Sequence, residues 1–344
     1  MKKKVTIYDV AEKLNISTAT VNRAINGKPK VSEETRRLVI ETANEMGYRA
    51  SKAASSLSRN PIKVGVLINA SINDFLDKFE AGCKKALNEL VDFNVIGEIF
   101  KTKRQNDVDS LKEKVFEFIE KGFDALIIVP PDHENEFDEF IQKTVPKDII
   151  VTTAVSDINM EHRLFSVRNN GRIAGKMAAE LLYWLVGNKP VAIVTGTRDS
   201  TVHSETIIGF KEFMDDHPMN LVGIYEHRDD PEVAYHLAGS FLNANPNIAG
   251  IYFGSANSAT FCRRIEELGY KGRVKIVASD IFPDLIKGLK DGLINATIFQ
   301  NPYLQGRQSV RYVYESIAEG RTFEKDTIYL NPQIVLPSNI ELFL

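Results

Sequence analysis

"ISTATVNRAIN", residues Ile16–Asn26, decides how the chain begins. Ser17 is a side-chain acceptor of the kind that caps a helix. It follows close behind an earlier helical pattern, in which Thr6 caps a helix through Leu14 with Val10, Ala11 and Leu14 on one face. The helix opened at Ser17 ends near Asn26 and Gly27, where Gly is a ready stop. Ser32 caps a third, "SEETRRLVIETANEM", with Glu33 and Glu34 in its first turn and Gly47 beyond its end. Three short helices joined by tight turns predict a helix-turn-helix unit.

At about 100° per residue, Val21, Ala24 and Ile25 of the second helix cluster on one side and can pack on the other two. Ala19, Asn22, Arg23 and Asn26 point the opposite way, with Thr18 at the edge. That outer face is small, hydrogen-bonding and cationic, and it lacks the Glu and Lys of an ordinary solvated face. Such a surface suits the floor of a DNA major groove.

Charge supports the reading. The formal net charge is −3, but residues 1–60 carry 12 Lys and Arg against 6 Asp and Glu, while the rest carries 31 against 40. A small basic segment on an acidic body marks a local polyanion-binding site. At 344 residues and 43% hydrophobic, the chain can bury cores for two or three domains. It holds no run of about 18 apolar residues, so no membrane span is expected. "MKKK" is followed by the charged "VTIYDVAEKL" rather than an apolar signal segment, which predicts a cytoplasmic protein. Cys83 and Cys262 lie far apart in helical patterns and read as reduced core thiols.

Residues 5–59, from "VTIYDVAEKLNISTATVNRAIN" to "SKAASSLSR", closely resemble the DNA-binding head of the lactose-repressor (LacI/GalR) family of bacterial transcription regulators. The resemblance makes the second helix the recognition helix. It implies that Thr18, Ala19 and Arg23 read bases and that Ser17, Thr20 and Asn26 meet phosphates, with Thr6, at the head of the first helix, also binding the DNA. Asn22 stands where Ser is common, and its reading as base or phosphate contact stays open. Residues 1–49 would form the head and residues 50–61 a hinge. Ala53, Ala54 and Leu57 give that hinge one narrow apolar stripe on too few residues to fold alone in water. By resemblance it folds when two copies pair on the minor groove, with Ala54 and Leu57 at the DNA and Leu57 wedged between base steps.

From Lys63 short apolar runs such as "KVGVLIN", "FDALIIV", "PVAIVTG" and "VKIVAS" alternate with helical stretches. Buried strands alternating with helices predict parallel sheets covered on both faces. Some ten strands exceed one small domain, so two doubly wound halves are expected, with ligand in the cleft beyond the strand ends. This part resembles the family's effector core, which is shared with periplasmic sugar-binding proteins. The implied halves are residues 62–168 with 300–327, and 169–299 with 328–344.

The resemblance places Asp280 of "VASD" at a strand end that meets ligand and Phe75 as an apolar pocket wall. Polar loops nominate His203, Asp157 and Arg163, and position nominates Asp74, Asp229 and Gln300. Thr206 stands where the family often has an arginine, and "GSANS" replaces a common "ND" or "GD" pair. Trp184, within "AAELLYWLV", reads as core. An enzyme is the rival reading, but no glycine-rich phosphate loop, nucleophile elbow or metal cluster is present. An extracellular solute-binding protein would fit the body alone. The expectation is a homodimeric repressor, with a tetramer left open, that binds double-stranded operator DNA. Its effector would be a small carbohydrate-like molecule, and no cofactor is expected.

Overall fold

A computed structural model describes residues 5–25, 27, 29–48, 60–69, 73–104, 106–131, 135–198, 200–256 and 258–344. Asn26, Ala54, Leu57 and the hinge stretch 51–59 lie outside them. One compact unit holds the N-terminal helices and another holds the two sheets.

The head consists of α1 (Ile7–Leu14), α2 (Thr18–Ile25) and α3 (Glu33–Glu45). Each begins on the cap read from sequence. Thr6 and Asp9 form a reciprocal capping box. The Thr20 amide donates to Ser17 Oγ at 3.1 Å, and the Thr35 amide donates to Ser32 Oγ at 3.2 Å. Asn15 ends α1 in the left-handed region at φ 53°, which turns the chain sharply into α2. Val10, Ala11, Val21, Ala24, Val39 and Ala43 form one small core. The Arg36 guanidinium, on α3, donates to the Ala24 carbonyl at 3.2 Å and helps seat α2.

The body has two six-stranded sheets. In the first, β1 (Ile62–Ile68), β3 (Ala125–Val129), β4 (Ile150–Ala154), β5 (Arg163–Asn169) and β11 (Thr327–Leu330) run parallel, with β2 (Val95–Lys101) at one edge. In the second, β6 (Pro190–Thr195), β7 (Asn220–Glu226), β8 (Gly250–Phe253), β9 (Lys275–Ser279) and β10 (Ala296–Phe299) run parallel. β12 (Gln333–Val335) closes the second sheet antiparallel to β10. The fold class expected from sequence is the observed one, apart from that antiparallel edge. The second half was expected to resume at 328, but Thr327–Leu330 pairs with Ser166–Asn169 of the first sheet. The last crossing therefore lies after Leu330.

The chain crosses between halves after β5, after β10 and after β11, so three strand ends converge beside the cleft. Helix α4 (Asn73–Leu90) follows β1, and α12 (Pro302–Glu319) returns the chain from β10 to the first half. These two helices meet at Gly82 and Gly306. A Cβ on Gly82 would lie 2.0 Å from the Tyr303 carbonyl oxygen, so only glycine permits the approach. No helix among the described residues is long and apolar enough to cross a membrane.

Trp184 corrects the sequence reading. Helix α7 (Gly171–Val186) buries Ala174, Ala178, Leu181 and Leu182, and Trp184 falls well away from that stripe at 70% exposure. Cys83 and Cys262 are free and buried, as expected.

Candidate functional site

Two surfaces follow from this architecture. On the head, Val21 and Ala24 face the core, while Ala19, Asn22 and Arg23 are exposed on the other side of α2. Thr18 and Thr20 are half-buried, and Thr6 and Ser17 are exposed at the starts of α1 and α2. The Ser17 and Thr20 hydroxyls lie 2.9 Å apart and hydrogen bond to each other. Ser17 therefore serves α2 as its cap.

In the body, one cavity opens between the halves at the carboxyl ends of the strands. Its volume is about 90 Å³, several times the roughly 10–15 Å³ that one water needs. That is the scale of a small molecule. Phe75, His203, Asp229, Asp280 and Gln300 all line it, so five sequence nominees come together.

Asp280 sits just past β9 with φ 65°, a left-handed conformation uncommon for a residue with a Cβ. Its amide donates to the Ile298 carbonyl at 2.9 Å, and its own carbonyl accepts from Thr297 Oγ1 at 2.6 Å. The turn aims a buried carboxyl into the cleft. There it accepts from the Gln300 amide at 3.0 Å and from Gln300 Nε2 at 2.7 Å. Burial pushes its pKa up to about 7, against the pull of the two Gln300 bonds and the Lys78 charge.

His203 belongs to α8 (Thr201–Asp216), and its Nδ1 lies 3.0 Å from the Thr197 carbonyl. Arg228 and Asp229 are consecutive left-handed residues, at φ 52° and 58°, just before Asp230 caps α9 (Pro231–Ala244). This double twist folds Asp229 back over Gly196. A Cβ there would meet the Asp229 carboxylate at 2.5 Å and the His203 ring at 2.7 Å. Gly196 thus lets an acid and an imidazole share one backbone position.

Beneath them His227 is fully buried, stacked on Phe253, with Nε2 2.7 Å from Ser255 Oγ. Burial lowers its pKa to about 4, and the nearby His203 adds to the shift. Its Nδ1 finds no partner among the described residues. Across the cleft Val155, a β-branched residue, holds φ 67° and brings Ser156 to the cavity. Lys78 of α4 reaches over and donates to the Ile281 carbonyl at 2.6 Å.

Three nominees lie elsewhere. Arg163 Nε pairs with Asp157 Oδ1 at 2.9 Å, and Thr153 Oγ1 donates to the same oxygen at 2.6 Å. Both charges are spent on each other, and neither lines the cavity. Asp74 is exposed and borders an adjoining groove that shares Ala256 and Phe282 with the cavity. Sequence reasoning missed Asn69, Val155, Ser156, Ser200, Ser255, His227 and Phe282. Ser255 stood in the "GSANS" departure, Ser156 and Ser200 stood in the polar loops that nominated Asp157 and His203, and Phe282 followed the nominated strand end at Asp280.

Comparison with known proteins follows the same division. Residues 6–51 match the family described as bacterial regulatory proteins, lacI family, and residues 64–322 match the periplasmic binding protein domain. Catabolite control protein A of Priestia megaterium is 29% identical over 209 residues, spanning 60% of each chain. The HTH-type transcriptional repressor PurR of Pasteurella multocida is 23% identical over 98% of each chain. Among solved structures, a glucose-galactose binding protein from Geobacillus stearothermophilus superposes with TM-score 0.73 at 23% identity. It covers 82% of this chain and 99% of its own.

Proposed function

We propose, because this chain belongs to the lacI family of bacterial regulatory proteins, that it is a repressor whose operator affinity is set by a small effector. The observation that carries this is the exposed face of α2, with Ala19, Asn22 and Arg23 presented opposite a packed Val21 and Ala24. In this reading Thr18, Ala19 and Arg23 read base edges in the major groove, and Ser17, Thr20 and Asn26 fix the register on phosphates. Asn22 joins one set or the other. Two copies of the chain engage a near-palindromic, double-stranded operator in the cytoplasm. Residues 51–59, with Ala54 and Leu57, form the paired hinge.

Relatives named as ribose operon repressor and catabolite control protein support a carbohydrate-like effector. Asp280, Gln300, His203, Asp229 and Phe75 hold it, and the protein acts by binding rather than by catalysis. Closure of the cleft around the effector shifts the first halves of a dimer and so couples the cavity to the hinge.

Selection of duplexes from random-sequence DNA tests the reading. Recovered sites should share two inverted half-sites, and amides in 51–59 should gain exchange protection only on the selected duplex. Recovery of unrelated sequences would overturn it.

A further inference from the structure

Asp229 and Asp280 line the cavity together, and among the described residues no Lys or Arg lines it. The body positions outside the described set, 70–72, 105, 132–134, 199 and 257, include no Lys or Arg in sequence. Three arginines of adjoining segments are held by other acids: Arg163 by Asp157 at 2.9 Å, Arg168 by Glu205 at 2.7 Å and Arg198 by Glu226 at 3.4 Å. Asp280 is 4% exposed, and Gln300 supplies both donors to its carboxyl. Among the described residues Lys78 is the one cation whose charge reaches it, and its Nζ is bonded to the Ile281 carbonyl.

A buried carboxylate whose one nearby cation is bonded to a backbone carbonyl rather than to the acid is costly, and removing it from water raises the worth of any cation brought beside it. We infer that the effector is a hydroxyl-rich molecule bearing an ammonium group, an amino sugar or amino polyol. This deepens the small-effector reading above and rests on it. The ammonium presents three donors to the Asp229 and Asp280 carboxylates, in a lining whose one basic side chain among the described residues is His203. The ligand's hydroxyls find Ser200, Ser255 and Gln300, and its ring faces find Phe75 and Phe282. A phosphate or carboxylate would instead meet two acids in a desolvated space, where like charges repel strongly.

Thermal melting of the full chain tests this with matched probes. D-glucose, D-glucosamine and D-glucose 6-phosphate form one series, and the galactose and mannose counterparts form two more. In the stereochemical series that fits, the amine should bind about ten-fold tighter than its uncharged parent, the worth of one charge-assisted hydrogen bond. The phosphate should give no shift. Asp280→Asn should reduce the amine to the level of its parent, and Asp229→Asn gives the same comparison independently. A phosphate that stabilises the chain, or a parent that matches its amine, would overturn the inference. No shift in any series would overturn the effector reading beneath it.

Discussion

Lys78 Nζ, on a helix of the first half, donates a 2.6 Å hydrogen bond to the carbonyl of Ile281 in the second half. Ile281 follows Asp280 directly, so a cation of one half is fastened beside the buried acid of the other. The bond spans the cleft and shortens the distance that an effector must close.

Lys78→Met should loosen that closure. We expect a stability loss of about 1 kcal/mol, typical of one hydrogen bond, together with a higher pKa for Asp280 because its nearby cation is gone. Urea denaturation at neutral pH checks the first, and the pH dependence of effector binding checks the second. An unchanged pH profile would detach Lys78 from the site.

The chain's stability should carry two opposed pH slopes. Asp280 keeps its proton in the fold up to about pH 7, whereas the unfolded chain releases it near the ordinary 3.8. Between those values the folded state binds more protons, so stability falls as pH rises. Asp280→Asn should therefore be more stable than the parent at pH 8, by a few kcal/mol at most, with the gain vanishing toward pH 4. Denaturation midpoints across that range decide it.

His227 works the other way. Its folded pKa is lowered from 6.5 to about 4, so in that window the unfolded chain binds a proton that the fold refuses. Stability is fully present above pH 6.5 and is lost as pH falls toward 4. His227→Gln keeps a donor for Ser255 and should flatten the acid limb. An acid limb as steep as the parent's would show that other groups set it.

Gly196→Ala should silence the effector response. The new Cβ would collide with Asp229 and His203, and such overpacking costs about 1–3 kcal/mol. Operator binding without effector should survive, because α2 and its packing belong to the other compact unit. Gel-shift titration with and without effector separates the two effects.

The head was legible because its signals are local. Thr6, Ser17 and Ser32 cap the helices that follow them, and Val21 and Ala24 reveal the buried face of α2 by spacing alone. The cavity was legible where a strand end carries its own acid, as at Asp280, and opaque where tertiary approach decides. Asp157 and Arg163 had the right composition, but the fold joins them to each other. Trp184 sat in an apolar run, yet the helix turned it outward. Val155 and Ser156 open the loop that nominated Asp157 and Arg163, but nothing in their sequence announces a left-handed valine. Lys78 reads as an ordinary helix-surface cation until α4 is seen beside the far strand end.

The most direct test of the account is the specificity ratio of Arg23→Ala. Affinities for the selected operator and for a scrambled duplex are measured at one fixed salt concentration, for the parent and the variant. Arg23 is exposed on the outer face of α2, and a guanidinium reading a base edge is worth about 1–3 kcal/mol of discrimination. The account predicts a loss of that size on the operator, little loss on the scrambled duplex, and a ratio that shrinks accordingly. Equal losses on both duplexes would contradict it, because Arg23 would then touch only phosphate.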